Sequence, residues 1–422
     1  MLQAKSTSWT VDKPKEYPPL SSNLTADVCI VGAGLAGVLT AYRLAKEGKK
    51  VVLLEKKKIG SGATEYTTAF LTQVIDTDPS QLLEFYSEEE VKQTYESHGK
   101  AIDFIENITK AENIDCEFMR CPNYIYGNDK KEFKEIFDEE VLFKKLGLKT
   151  SVVADNKLKF NNSGYAVIEN QGKFHPLKFL SQLSPVLEKM GVSIHEKTEV
   201  NKIDSGNVIK VLANDHIVSA KDVIVATYMP FNNPEQTHYK KGMYVTYVME
   251  LMLPQSILPQ AIYEDAGNPY HYFRVDSRNG HDRMIIGGED HREEFPINTE
   301  RNYNALKEYL NQLFPELDYK IIKKWTGPIL EPSDGLALIG KYDDHQYVAS
   351  AFSGNGMTYS AITAMLIPDL IMGKENAWAQ IYDPKRTLSA SKLFEKGKDY
   401  TGEFFGGAFK NLFKPKEPST DA

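Results

Sequence analysis

The sequence is poor in cysteine and has no long apolar run. Cys29, Cys116 and Cys121 are the only 3 cysteines among 422 residues. That is too few for a disulfide framework, and a sparse, odd count fits a reducing compartment. Cys116 and Cys121 have neither a second pair nor nearby histidines, so no metal site is expected. No stretch approaches the roughly eighteen apolar residues of a membrane span. Lys5, Asp12, Lys13, Lys15 and Glu16 occupy the N-terminal segment where a signal peptide would need an apolar core. A cytoplasmic protein without an integral membrane segment is expected. The formal net charge of -8 argues against a nucleic-acid partner.

What is present is the composition of an ordinary globular protein, 41% hydrophobic and 26% charged. The length suits two domains at about 150 residues each. Residues 6–25, with Pro14, Pro18 and Pro19, read as an extended arm. A β-α-β unit follows: the apolar run Val28 to Val31, helix formers from Leu35 to Glu47, and a second β-rich run from Lys49 to Leu54. Ser80 to Lys149 is polar and helix-rich. Phe174 to Leu180 opens a helix that Pro185 is expected to break or restart. Val208 to Leu212 and Ile217-Val218 read as a hairpin, Asp222 to Ala226 as a buried strand. Met243 to Met252 and His271 to Gly287 read as strands of an antiparallel sheet, and Asn304 to Leu313 as an amphipathic helix.

Gly32, Gly34 and Gly37 form G-x-G-x-x-G between the first strand and helix, in the run Gly32-Ala33-Gly34-Leu35-Ala36-Gly37. The first glycine permits the tight turn, the second lets a pyrophosphate reach the backbone, and the third lets helix and strand approach. The helix start offers N–H groups and a positive dipole end to phosphates. Glu55 follows the second strand at about the twenty-residue spacing of a ribose-binding acid, and its charge would repel a 2′-phosphate. The glycines by themselves would be compatible with plain turns. Their register with both strands, the helix and Glu55 points to a dinucleotide, with FAD and NAD both open on the motif alone.

Further segments narrow the choice. Glu55-Lys56-Lys57-Lys58-Ile59-Gly60-Ser61-Gly62-Ala63-Thr64, Val223 to Thr227, Asp334 to Gly340 and Phe352-Ser353-Gly354-Asn355-Gly356-Met357 resemble, in order, the D-amino-acid oxidase and glycine oxidase superfamily. Trp9, Tyr17 to Leu20, Thr67-Thr68-Ala69, Phe174 to Lys178 and Gly287 to His291 resemble FAD-dependent oxidoreductases that usually carry a C-terminal Rieske domain. This sequence has no Cys-x-His and Cys-x-x-His pair, so no Rieske cluster is expected in it.

The resemblance implies an α/β, glutathione-reductase-like FAD-binding Rossmann domain with an antiparallel-sheet substrate domain. The expected division is an arm (1–25), a discontinuous FAD domain (26–110, 174–236 and 326–392), a substrate domain (111–173 and 237–325) and a tail (393–422). By the same resemblance Lys56, Ser61, Thr64, Thr67 and Thr68 lie against the cofactor, Val200 meets the adenine through its backbone, and Thr227 and Gly354 to Met357 complete the site. A helix start after Gly354-Asn355-Gly356 would place donors where a reduced flavin gathers negative charge. No Cys or His lies beside Trp325 or between Gly60 and Gln73, so the FAD is expected to be noncovalent.

The substrate side carries less signal. Where related oxidases clamp a carboxylate with an Arg, this sequence has Ile329, which puts a simple α-amino acid in doubt. Arg274 is the remaining candidate anion binder. Strand alternation puts it on one face with Tyr270 and Tyr272, a surface strand arginine with packing tyrosines being the alternative. His175, before Pro176, is either a helix cap or a cofactor-side group. The implied reaction is hydride transfer from an amine or amino-acid-like small molecule. A hydroxy-acid dehydrogenase and a non-catalytic FAD-stabilised interaction module remain open. Ile285 stands where some oxidases place an oxygen-assisting lysine, so a separate acceptor is expected, a redox protein or a quinone. The aromatic, lysine-bearing segment Phe404 to Lys414 is either a docking surface or a packed tail.

Overall fold

A computed structural model describes residues 7–154, 158–229, 241–292 and 299–386. The tail expected at 393–422, with Phe404 to Lys414, lies outside the described residues. In chain order the elements are β1 (Leu24–Val31), α1 (Leu35–Lys46), β2 (Val51–Leu54), α2 (Ala63–Tyr66), β3 (Phe70–Leu71), α3 (Pro79–Phe85), α4 (Glu88–Ala111), β4 (Met119–Tyr126), α5 (Lys130–Lys145), β5 (Thr150–Val153), β6 (Tyr165–Lys173), α6 (Pro176–Lys189) and β7 (Ser193–His195). There follow β8 (Val200–Asp204), β9 (Ile209–Ala213), β10 (His216–Tyr228), β11 (Lys241–Leu253), β12 (Ile262–Asp265), β13 (His271–Arg278), β14 (His281–Arg292), α7 (Thr299–Leu313), β15 (Lys320–Pro332), β16 (Leu338–Asp343), β17 (Gln346–Ser350) and α8 (Gly356–Ile371).

Two sheets organise these elements. The first runs β16-β17-β10-β1-β2-β7, with β8 and β9 attached to β10. β1 pairs in parallel with β10 and β2, as β10 does with β17 and β2 with β7. Both faces of this sheet are covered, so Val28 to Val31 and every residue of β2 are buried, which explains the unbroken apolar runs. α1 packs against α8 and α6. Because α8 is enclosed nearly all round, its buried residues do not keep to one stripe.

The second sheet runs β15-β11-β14-β13-β12-β4-β6-β3, with β5 on β6. Its pairs are antiparallel except β12 with β4. Its apolar core includes Tyr247, Met249, Phe273, Val275, Ile286 and Leu310. Phe70–Leu71, within the span expected for the FAD domain, pairs with β6 in this sheet, and β15 crosses the expected 325/326 division. Met119–Tyr126 is a strand inside the stretch read as helix-rich. Its partners, β6 and β12, are distant in sequence. Pro185 does not break α6, which continues to Lys189. β10 does two jobs the sequence divides between two strands, forming the hairpin with β9 and then entering the parallel sheet.

The N-terminal arm packs against the body. Trp9, Tyr17 and Leu20 are buried, Tyr17 N–H donates to Glu196 at 3.0 Å, and Leu20 N–H donates to Thr198 Oγ1 at 3.0 Å.

Candidate FAD and substrate site

One long cavity of about 780 Å³ reaches from the β1–α1 turn to the second sheet. Of the sequence-predicted cofactor residues, Gly32, Gly34, Leu35, Ala36, Glu55, Lys56, Ser61, Thr64, Thr67, Thr68, Val200, Thr227 and Gly354 to Met357 line it. Ala33 and Gly37 support the turn from behind. Gly32 has φ +104°, and a Cβ there would lie 2.5 Å from Ala226 O. A Cβ on Gly37 would stand 1.9 Å from Gly32 O, so only glycine permits that helix–strand approach.

The dinucleotide end is built largely from main-chain groups. Glu55 accepts from Ala33 N–H at 2.9 Å and from Lys57 N–H at 2.8 Å. Burial raises its carboxyl above the usual range. Leu35 N–H donates to Thr64 Oγ1 at 3.1 Å. Gly34 and Asn355 precede α1 and α8 without a side-chain cap of their own, and no acidic residue belongs to either first turn. Two helix starts opening onto one cavity suit anionic cofactor groups. Asn355 is otherwise engaged, its Oδ1 accepting from Asp76 N–H at 3.0 Å. Asp76 Oδ2 in turn accepts from Gly354 N–H at 2.7 Å.

The Tyr66–Ala69 loop between these ends is held from behind, carbonyl by carbonyl. Trp325 Nε1 donates to Tyr66 O at 3.0 Å and Trp9 Nε1 to Thr67 O at 2.7 Å. Arg274 Nη1 donates to Thr68 O at 3.2 Å and to Ala69 O at 3.0 Å. These bonds fix a turn in which Ala69 takes φ 60°.

Arg274 is thus placed behind the cofactor loop and not on the cavity wall where its strand position suggested it. It is fully buried, does not line the cavity, and its remaining donors go to Phe174 O and Asp276. Alternation along β13 does put Arg274 on the face of Tyr272, but one step along the strand carries it past the cavity wall and beneath Trp9. His175 does not line the cavity either. Its Nδ1 accepts from Lys178 N–H at 3.1 Å as the cap of α6, its ring meets Trp9 edge-on, and burial lowers its pKa to about 4.

Tyr272 does line the cavity, with Tyr270. Its hydroxyl is 2.8 Å from Thr246 Oγ1, and Phe70 packs edge-on against its ring. Gly287 leaves room for that ring: a Cβ there would be 2.5 Å from it. Behind the wall, His271 lies between Asp265 and Glu289, 3.1 Å from each, and stacks on Tyr309 at 3.6 Å.

Apart from Glu199, which pairs with Lys56 at the dinucleotide end, three lining carboxyl groups escaped the sequence reading: Asp76, Glu264 and Asp290. Asp290 lies within the Gly287 to His291 motif, which offered a signal. The other two come from a loop and a strand without a distinguishing pattern. Ile329 lines the cavity, and among the described residues no arginine, cysteine or histidine does. Ile285 is buried in the core away from the lining.

A core of parallel strands that turns two helix starts and the Glu55 carboxylate onto one cavity is a dinucleotide-binding scaffold. The family model described as DAO, FAD dependent oxidoreductase, matches residues 27–370, and the chain belongs to this family. FAD is its cofactor. A putative Rieske 2Fe-2S iron-sulfur protein, YhfW, of Bacillus subtilis is 28% identical over 394 residues, covering 91% of this chain and 76% of the relative. Gamma-glutamylputrescine oxidoreductase of Escherichia coli is 24% identical over 387 residues, covering 87% of this chain and 89% of the relative. The crystal structure of glycine oxidase from Geobacillus kaustophilus superposes with a TM-score of 0.74 at 18% identity, over 87% of this chain and all of that one. No helix among the described residues is long and apolar enough to cross a membrane.

Proposed function

We propose that this protein oxidises an amine or amino-acid-like small molecule by hydride transfer, as a dehydrogenase that hands its electrons to a separate acceptor. The observation that carries this reading is one cavity joining the start of α8 to the Tyr270–Tyr272 wall, lined by apolar Ile329 and, among the described residues, by no arginine. Bound FAD supplies a two-electron acceptor: the substrate C–H bond gives up a hydride while the nitrogen lone pair closes a C=N bond. The protein's part is alignment and exclusion of water. Tyr272, fixed by Thr246 and Phe70, and Tyr270, whose ring lies 5.4 Å from that of Tyr272, form a rigid aromatic face against which an alkyl chain can lie. N–H groups at the start of α8 favour negative charge nearby.

The names of similar proteins support the chemistry, among them gamma-glutamylputrescine oxidoreductase, glycine oxidase and L-proline dehydrogenase. Among the described residues the lining cations are Lys56 and Lys57, next to Glu55 at the dinucleotide end. No cationic side chain among them lines the cavity at the tyrosine wall to assist oxygen, which favours a separate redox protein or quinone. Three buried cysteines without disulfides agree with a cytoplasmic setting. An anaerobic screen of amines, amino acids and hydroxy acids tests the reading. Bleaching of the flavin by an amine or amino acid is expected, and bleaching by hydroxy acids alone would overturn it.

A further inference from the structure

We infer that the cavity selects a cationic amine without a carboxylate, an aliphatic diamine or polyamine, and holds its non-reacting ammonium among Asp76, Glu264 and Asp290. This rests on the reading that the bound FAD oxidises an amine in the same cavity.

The three side chains come from separate segments, the loop after β3, strand β12 and strand β14, and line one cavity. Their protein partners are neutral donors. Glu264 accepts from Asn123 Nδ2 at 2.7 Å, and Asp76 accepts from Gly354 N–H. Asp290 is 8% exposed, and its Oδ1 has no hydrogen-bond partner. A buried carboxylate oxygen without a donor is costly unless a ligand supplies one. Behind the wall the charge of His271 acts on Asp290 but is already shared between Asp265 and Glu289. Burial pushes Asp290 and Glu264 up to about 7 and Asp76 up to about 6, and the charge of Asp76 adds to the rise of the first two. An ammonium group entering this space would relieve both the desolvation and the mutual repulsion.

The chemistry also says what is disfavoured. The carboxylate of an α-amino acid would meet a field of its own sign, with Ile329 in the lining and no arginine to receive it. Among the described residues no three His, Cys, Asp or Glu side chains are disposed to hold one metal ion, so the fitting cation is organic. Tyr270 and Tyr272 beside the acids suit it twice over, since an aromatic face attracts an ammonium and packs an alkyl chain.

The test uses the FAD-loaded protein at pH 8, with 1,4-diaminobutane, spermidine, butylamine, glycine and L-proline as probes. Two readouts are taken: anaerobic flavin bleaching, and the shift in Tm on adding each probe, which needs no turnover. The diamine or spermidine is expected to raise Tm and to bleach with a kcat/KM at least ten-fold that of butylamine. Asp290→Asn should bring that ratio towards one. Glu264→Gln should lower it in the same direction, and serves if the first variant fails to retain FAD. Equal ratios in wild type, or a ratio untouched by either folded variant, would overturn the inference while leaving amine oxidation in place. Bleaching by glycine or L-proline alone would overturn it while leaving C–N oxidation standing. No bleaching and no Tm shift with any probe would overturn both.

Discussion

The guanidinium of Arg274 lies over the ring of Trp9, 5.4 Å from its centroid, and the two side chains grip adjacent carbonyls of one cofactor loop. Trp9 comes from the N-terminal arm and Arg274 from the middle of the second sheet, so the loop Thr67–Ala69 depends on both ends of the fold. Arg274 also shares Asp276 with Arg283 and Lys173. Arg274→Ala should therefore cost about 3–5 kcal/mol, as expected when a buried charge network loses a member. It should lower FAD content together with Tm. Trp9→Phe keeps a ring over the guanidinium and removes one hydrogen bond, so a loss of about 1 kcal/mol is expected. Denaturant unfolding and the absorbance ratio of flavin to protein check both. An Arg274→Ala protein with normal FAD content and impaired turnover alone would restore the substrate-binding role.

The dinucleotide end should be sensitive to Glu55 and Gly37 for different reasons. Glu55→Arg replaces an acceptor with a donor and should weaken FAD binding at least about ten-fold, a loss of about 1.4 kcal/mol. Gly37→Ala places a methyl against the Gly32 carbonyl and should impair folding itself. Titration of the apoprotein with FAD, followed by flavin fluorescence, separates weakened binding from misfolding. A Glu55→Arg protein that binds FAD normally would remove the carboxylate from the site.

His271 makes stability depend on alkaline pH. Burial alone would lower its pKa, but hydrogen bonds to Asp265 and Glu289 outweigh burial and lift it to about 9. Its ordinary value is 6.5. A raised folded pKa stabilises fully below the unfolded value and is lost as pH climbs through the folded one. On the order of 3 kcal/mol should therefore disappear between pH 6.5 and about 9. Urea unfolding across that range checks it, and His271→Gln should flatten the profile. An unchanged slope in the variant would assign the alkaline loss elsewhere.

Reaction of the reduced protein with oxygen should be slow. The lining cations, Lys56 and Lys57, lie by Glu55, while Ile285 is sealed in the core. Among the described residues no cationic side chain lines the cavity at the tyrosine wall to stabilise a developing superoxide. Stopped-flow mixing of photoreduced protein with air-saturated buffer should give reoxidation slower than turnover with an artificial quinone. Fast reoxidation with stoichiometric peroxide would make this an oxidase.

Much of the cofactor site was legible because it is local. Gly32, Gly34, Gly37 and Glu55 sit in one β-α-β unit, where steric demands on the backbone write themselves directly into residue type. The segments from Ser61 to Thr68 and from Gly354 to Met357 were readable for the same reason, since turns and helix starts constrain the residues that build them. The substrate end was not. Alternation along β13 correctly paired Tyr272 with Arg274 on one face, but a period of two does not say where along that face a cavity ends. That boundary is drawn by Trp9, which arrives from the other end of the sequence and roofs Arg274 over. Asp76, Glu264 and Asp290 carry no shared spacing because three separate segments deliver them. Their meeting, and the unmatched charge it creates, exists only once the second sheet has closed against the first.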